Sequence, residues 1–136
     1  MGIQDPFDTS RRLATVRLKN RAMGTSGSEQ QYLEAGGRRY GHILDPRTGW
    51  PASELASVSV LADDAATADA LATALFVMGL DKARDFCQNH RDTAALLVLK
   101  PGGAVLRSGR DERTSTLPQV VTFNMPEQDL DLYPGR

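Results

Sequence analysis

The longest apolar stretch of the chain covers residues 64–79, where alanine and leucine, both strong helix formers, dominate. Asp63, Asp64 and Thr67 offer side chains for an N-cap, and Gly79 suits the position just after a helix end. The stretch predicts a helix of about four turns. Its apolar residues surround the helix axis, and this distribution predicts a buried helix at the centre of the fold.

Alternating apolar and polar positions, together with short apolar runs, predict the strands. The predicted strands cover residues 13–18, 38–44, 55–61, 93–99 and 104–107, with 120–123 as an added edge strand. Glycines mark the turns between them. Gly36-Gly37 is typical of a two-residue hairpin loop, and Pro101-Gly102-Gly103 predicts a second hairpin.

A second helix is predicted over residues 81–90 from its apolar spacing. Ser26 and Ser28 are both suitable caps for a short predicted helix over residues 28–34. Residues 45–51 form a loop that two prolines and a glycine make rigid.

Strands and helices mixed in this order indicate the α+β class. We expect a mixed, mostly antiparallel sheet packed against the buried central helix 64–79 and the second helix 81–90. One domain covers residues 1–108. Hydrophobicity falls after it, so residues 109–136 form a C-terminal extension that is partly disordered, with residues 124–136 poorly ordered.

Composition narrows the possible functions. The 136 residues fit one domain, and the 16 basic and 17 acidic residues nearly cancel without forming a charged block, so no nucleic-acid partner is expected. Cys87 is the single cysteine, which excludes an intrachain disulfide. No segment is long and apolar enough for a signal peptide or a membrane span; a leader of an exported protein would have been removed or would lie outside this chain.

Asp69 and Thr73 interrupt the apolar helix four residues apart, so they share one face. A buried carboxylate is costly unless a metal ion, an arginine or backbone amides compensate its charge. A carboxylate and a hydroxyl one turn apart suit Mg²⁺, which prefers oxygen ligands. Alternatively, if Thr67 caps the helix, Asp69 lies in the first turn and interacts with the helix dipole, and Thr73 donates back to the Asp69 carbonyl. The residues alone leave both alternatives open.

Two further polar clusters lie at predicted strand ends or in loops. Thr25-Ser26-Gly27 precedes the predicted short helix, where backbone amides could hold a phosphate, although a simple N-cap explains it as well. His42 ends a predicted strand, and it could transfer a proton, contact a phosphate or bond the loop backbone. An Asp45–Arg47 pair is expected to brace the loop, and Trp50 either covers a ligand or caps the core.

Four segments occur in a familiar order: Thr25-Ser-Gly27, His42-Ile-Leu-Asp-Pro-Arg-Thr-Gly49, Ser57-Val-Ser-Val60 and Ala68-Asp-Ala-Leu-Ala-Thr-Ala-Leu-Phe-Val-Met-Gly79. Together they resemble the ApbE family, the FAD:protein FMN transferases. Ile3-x-Asp-Pro6 and Arg21-Ala-Met-Gly-Thr-Ser-Gly27 extend the resemblance, which covers roughly residues 1–108.

The resemblance implies an enzyme that cuts FAD at its pyrophosphate, transfers FMN to a Thr or Ser hydroxyl of a target flavoprotein subunit, and releases AMP. FAD would be the substrate and Mg²⁺ the cofactor. Carried onto this chain, the resemblance implies metal ligands at Asp69 and Thr73 and a catalytic residue at His42. It implies flavin-nucleotide contacts at Thr25, Ser26, Gly27, His42 and Ile43.

The chain departs from the family pattern in two respects. Ser28 stands where the family often has Asp or Asn. Family enzymes are also about twice this length, so the resemblance implies the C-terminal half alone, and this piece could be inactive by itself. A half exposes apolar surface that its N-terminal half would cover, so a homodimer or aggregation is expected. The alternative function is a non-catalytic flavin-binding or structural and oligomerisation module of the same fold.

Overall fold

The computed structural model describes residues 1–101 and 118–133. Its strands are β1 (Gly2–Gln4), β2 (Arg12–Val16), β3 (Ala22–Gly27), β4 (Tyr32–Ala35), β5 (Arg38–Gly41), β6 (Leu55–Ala62), β7 (Ala94–Leu99), β8 (Val120–Phe123) and β9 (Leu130–Leu132). Its helices are α1 (Ala65–Met78), α2 (Leu80–Asn89) and a 3₁₀ turn at Glu127–Asp129. The described strands pair antiparallel throughout, which confirms the predicted α+β class.

The central sheet has four strands in the order β3-β6-β7-β8. Every residue of β6 and β7 is buried, because the sheet is covered on both faces. One face packs against α1 and α2, and the other packs against the three-stranded sheet β1-β2-β9. The predicted strands 55–61, 93–99 and 120–123 are confirmed, and 120–123 is the edge strand as expected.

The hairpin β4–β5 turns at Gly36 and Gly37, whose φ angles of +59° and +73° suit a two-residue hairpin loop. This confirms the predicted turn. The predicted short helix over residues 28–34 is wrong, because Tyr32–Ala35 pairs with Arg38–Gly41 across that turn. The predicted strand 38–44 correspondingly ends at Gly41.

The helix predicted over residues 64–79 is confirmed as α1. The Asp64 side chain accepts from the Thr67 backbone N at 2.9 Å and from its hydroxyl, and these hydrogen bonds lower the pKa of Asp64. Gly79, at φ +79°, ends the helix. Thr67 is therefore not the cap, and Asp69 lies beyond the first turn, so the first-turn alternative for Asp69 is wrong.

The expectation that α1 is buried all round is also wrong. Its fully buried residues form one face, against β3 and β6: Ala68, Ala72, Leu75 and Phe76. Asp69 and Thr73 are exposed, on a side of α1 that β3 borders without burying it. Several residues on that side are alanines, which cost little to expose because they carry little apolar area.

The second predicted helix is confirmed as α2. The carboxylate of Glu54 accepts from the Leu80 backbone N at 3.0 Å, so a side chain from the preceding loop satisfies the start of α2. Ala83 and Cys87 face the core, and burial raises the pKa of the Cys87 thiol.

The predicted poor order from residue 124 onward is wrong for residues 127–132. Thr15 in β2 pairs with Asp131 in β9, so this segment completes the second sheet. Most of the predicted 101–103 turn, the predicted strand 104–107 and the domain boundary at residue 108 lie outside the described residues. In the described part of the chain, no helix is long and apolar enough to cross a membrane.

Candidate functional site

A cleft of about 800 Å³ lies at the β3 edge of the central sheet. Its lining comes from β1, β3, the segments before and after the β4–β5 hairpin, β6 and α1. All seven residues that the sequence singles out line it: Thr25, Ser26, Gly27, His42, Ile43, Asp69 and Thr73. Residues from three separate parts of the chain, 25–27, 42–43 and 69–73, are thus brought together, and their roles stay predictions.

Gly24 lets α1 approach β3 closely. A Cβ at this residue would lie 2.6 Å from the backbone N of Asp69 and 2.7 Å from its Cα. No side chain other than hydrogen fits there, because backbone atoms cannot move aside as a flexible side chain can. This contact fixes the height of Asp69 above the strand.

Thr73 is held by two hydrogen bonds. Its Oγ1 donates to the Asp69 carbonyl at 3.3 Å, as one of the two alternatives for the helix predicts. Its Oγ1 also lies 2.8 Å from Oγ of Ser26. If Thr73 donates to the carbonyl, Ser26 donates to Thr73, and Thr73 keeps one lone pair for a cation.

The groups at Asp69 that could bind a metal ion are all oxygens: its own carboxylate and the hydroxyls of Thr73 and Ser26. Among residues 1–101 and 118–133, no group of three His, Cys, Asp or Glu side chains could hold a metal ion. A site here would therefore leave several positions to water or to a ligand. Such a donor set fits Mg²⁺, which is reluctant to lose its waters. The cost of burying a carboxylate gives no support to a metal site here, because Asp69 is exposed.

Thr25, Ser26 and Gly27 lie within β3 and not in a loop before a helix. The proposed phosphate cradle at a helix start is therefore wrong, and so is the N-cap alternative. The physical reason is pairing with a distant strand: Gly27 lies opposite Ser57, and the Thr25 hydroxyl lies 2.8 Å from that of Ser59.

His42 follows the last residue of β5, as predicted, and its side chain is exposed. Its Nδ1 lies 3.0 Å from the Gln31 carbonyl. A carbonyl only accepts, so Nδ1 carries the proton, and in the neutral ring Nε2 keeps a lone pair. This backbone contact is to the segment before β4 and not to the loop 45–51 that the structural alternative expects, and it leaves Nε2 able to accept a proton.

The loop after His42 is braced as predicted. Asp45 accepts from the Arg47 backbone N at 2.9 Å and from its Nη2 at 2.7 Å. Hydrogen bonds from Arg47 lower the pKa of Asp45 to about 2. Arg47 also donates to the carbonyl of Val77 at 3.2 Å, which links the loop to the end of α1. Trp50 is 67% exposed, so it does not cap the core.

Sequence reasoning left several lining residues unassigned. They include Ile3, Gln4, Gln30, Gln31 and Ser57. Four of them, all except Ser57, lie on short or irregular segments with no periodic pattern. Ser57 occupies a strand position that alternation assigns simply as polar.

The model of the family described as the ApbE family matches residues 1–97. The FAD:protein FMN transferase of Haemophilus influenzae is 38% identical over 111 residues, covering 79% of this chain and 32% of that protein. That of Treponema pallidum is 44% identical over 100 residues, covering 72% and 28%. That of Escherichia coli K12 is 33% identical over 131 residues, covering 95% and 35%.

Solved structures of ApbE proteins also match this chain. The ApbE protein of Thermotoga maritima matches with a TM-score of 0.63 and 43% identity, over 79% of this chain and 35% of that chain. The flavin transferase ApbE of Vibrio cholerae matches with a TM-score of 0.60 and 32% identity, over 75% and 32%. The chain spans about a third of the length of the relatives it matches, and not the half that the sequence predicts.

Proposed function

The chain belongs to the ApbE family, and we propose that it forms part of an enzyme that transfers FMN from FAD to a hydroxyl of a target protein. The observation that carries this proposal is the single cleft lined by all seven residues that match the family's functional positions. Curated relatives named FAD:protein FMN transferase support the same reaction class.

In the proposed reaction, a Thr or Ser hydroxyl of the target protein attacks the FMN phosphorus of FAD. A new P–O bond forms, the bond from that phosphorus to the bridging oxygen breaks, and AMP leaves with the bridging oxygen. The hydroxyl proton is lost to a base or to water. Such a transfer needs an aligned nucleophile and neutralised phosphate charge more than covalent help from the protein.

Asp69 and Thr73 would hold the Mg²⁺, with Ser26 fixing the Thr73 hydroxyl from β3. When bound, the ion would neutralise charge on the transferred phosphate. This role accounts for a need in the cleft itself: among the described residues, its lining includes the carboxylates of Glu29 and Asp69 but no lysine or arginine. The ion would supply the positive charge that these lining side chains do not offer to a phosphate.

His42 would accept the proton of the attacking hydroxyl. The hydrogen bond between its Nδ1 and the Gln31 carbonyl supports this role, because it orients the ring and leaves Nε2 as the acceptor. The braced loop that follows would hold Ile43 against the flavin, since the Ala52 backbone N donates to the Ile43 carbonyl at 3.0 Å.

The remaining walls of the pocket would come from the part of a family enzyme that this chain does not match. The relatives are longer than the matched segment by a factor of about three. The exposed side of α1, which carries Asp69 and Thr73 beside β3, is where such a part would close over the substrate. We therefore expect this chain alone to bind FAD weakly. In the assembled enzyme, the target protein would also contact parts that lie outside this chain.

Isothermal titration of FAD with and without Mg²⁺ tests the proposal. The chain should bind FAD only when Mg²⁺ is present, with micromolar or weaker affinity, and Asp69→Ala should lose at least tenfold. Asp85→Ala, which removes an exposed aspartate from α2, is the matched control and should behave like the parent. Failure of the parent chain to bind FAD, or equal Mg²⁺-dependent binding by Asp69→Ala, would contradict the proposal.

The alternative, a non-catalytic oligomerisation module, has one supporting observation. Large apolar side chains are exposed together on the β4–β5 hairpin and the following loop: Tyr32, Leu33, Leu44 and Trp50. A second copy of the chain could cover them. Light scattering at high concentration should then show a dimer or larger species for the parent chain and a monomer for Trp50→Ser. A monomeric parent chain would argue against association.

A further inference from the structure

Ser57 in β6 has a buried hydroxyl without a partner. The residue is 6% exposed and lines the cleft, and within residues 1–101 and 118–133 its Oγ makes no hydrogen bond. Leaving a buried hydroxyl unpaired is costly, and buried polar groups in native proteins almost always have a partner. The partner of Ser57 is therefore to be sought outside residues 1–101 and 118–133.

The other hydroxyls nearby are already paired with one another. Thr25 pairs with Ser59 at 2.8 Å, and Ser26 pairs with Thr73 at 2.8 Å. These two pairs fix β3 against β6 and against α1. Ser57 differs from them because the residue opposite it in the sheet has no side chain.

That opposite residue is Gly27. A Cβ there would lie 3.4 Å from the Cβ of Ser57 and 3.1 Å from the Ala56 carbonyl. Glycine at residue 27 therefore lets the β3 backbone lie close to Ala56 and Ser57, and it offers no side chain that could pair with the Ser57 hydroxyl.

The hydroxyl also lies apart from the proposed metal ligands. Ser26 pairs with Val58 and contacts Thr73, so it faces α1. Neighbouring positions of a strand face opposite sides of the sheet, so Ser57 faces away from α1. The cleft consequently has polar groups on both faces of the sheet edge, and a ligand that uses both must span that edge.

We propose that Ser57 anchors an uncharged polar part of the flavin nucleotide, a ring carbonyl or a sugar hydroxyl, in a second subsite of the cleft. This inference rests on the proposed function. In the part of the chain that the structure describes, no lysine or arginine lines the cleft, whereas the side-chain amides of Gln4, Gln30 and Gln31 do. Amides and a hydroxyl bind neutral donors and acceptors, and nothing in this set would balance a phosphate charge.

Titration of FAD in the presence of Mg²⁺ into the parent chain and Ser57→Ala tests the subsite. The variant should bind FAD about tenfold more weakly, the loss expected for one missing hydrogen bond to a ligand. Its thermal midpoint without FAD should be equal to or above that of the parent, because an unpaired hydroxyl is removed. The control Ser59→Ala should lower the midpoint, since it leaves the Thr25 hydroxyl unpaired.

The outcomes separate the two proposals. If the parent binds FAD and Ser57→Ala binds it equally well, a water satisfies the hydroxyl and the subsite is wrong while the proposed function stands. If the parent binds no FAD, both are wrong. Riboflavin and AMP as separate probes identify which end of FAD the hydroxyl contacts. If Ser57→Ala lost affinity for inorganic pyrophosphate by the same factor as for FAD, a phosphate would bind there, and this would overturn the assignment of a neutral group.

Discussion

The hydroxyl of Ser26 lies 2.8 Å from that of Thr73, and this hydrogen bond joins β3 to α1 across the floor of the cleft. It connects two segments that are 47 residues apart in sequence. Ser26 is largely buried, so its hydroxyl depends on Thr73 for a partner.

Replacing either partner should therefore destabilise the fold by similar amounts. We expect Ser26→Ala and Thr73→Val each to lower the free energy of unfolding by about 1 kcal/mol, and the double variant to lose less than the sum. Urea unfolding of the four proteins measures the coupling. Strict additivity would show that the two hydroxyls do not interact in solution.

Gly24 gives a prediction about the position of α1. Gly24→Ala should destabilise the chain by about 1–3 kcal/mol, because the new methyl group meets the backbone of Asp69. It should also weaken Mg²⁺-dependent FAD binding by displacing Asp69.

Gly36→Ala is the matched control for Gly24→Ala. It forces a non-glycine residue into a φ of +59° in the hairpin, at a similar cost of about 1–2 kcal/mol, with no contact to α1. Urea unfolding and FAD titration of both variants separate stability from positioning. Equal loss of FAD binding in the two would show that stability alone matters.

The Asp45–Arg47 pair gives a pH dependence. The pKa of Asp45 falls from 3.8 to about 2 on folding, so its stabilising contribution is complete above pH 4 and is lost as pH falls through 2. Asp45→Asn should melt below the parent near pH 6, and the difference should shrink toward pH 2. Melting curves by circular dichroism test this, and 1 M salt should shrink the difference as well because the pair is exposed. A difference that grows with acidity would be contrary to the structure.

Asn124 fastens the end of β8 to the end of α2. Its Nδ2 shares two hydrogens among the carbonyls of Cys87 at 2.7 Å, His90 at 3.2 Å and Thr93 at 2.9 Å. Asn124→Ala should lower the free energy of unfolding by about 1–3 kcal/mol. Asn20→Ala is the control, because Asn20 shares the left-handed backbone, with φ +54° against +53°. Equal losses in the two variants, measured by urea unfolding, would mean that the backbone conformation accounts for the effect and the three carbonyl bonds add nothing.

Local chemistry predicted part of this structure well. The ends of α1 follow from an aspartate cap and a glycine, and the hairpin turn follows from two adjacent glycines at positive φ. By contrast, β1 and β9 have three residues each and carry no periodic signal, so nothing in the sequence marks them. They form because β2 offers both of its edges for pairing.

The errors at the site have two causes. The Thr25-Ser26-Gly27 segment was assigned to a helix start because serine and glycine favour such positions, whereas its strand partner lies some 30 residues further on. Long-range pairing overrides local preference, and a single sequence does not display it. Asp69 was expected to be buried because the whole helix is apolar, yet burial depends on what packs against each face.

The position of the bound nucleotide tests the central claim most directly. Backbone amide NMR of the labelled chain, titrated with FAD and Mg²⁺, follows all described residues except the prolines at once. The account predicts that shifts concentrate at residues 25–27, 42–43 and 69–73, and that α2 and β7 change little. Shifts spread over other surfaces, or none at saturating FAD, would show that these residues do not form one flavin-nucleotide site.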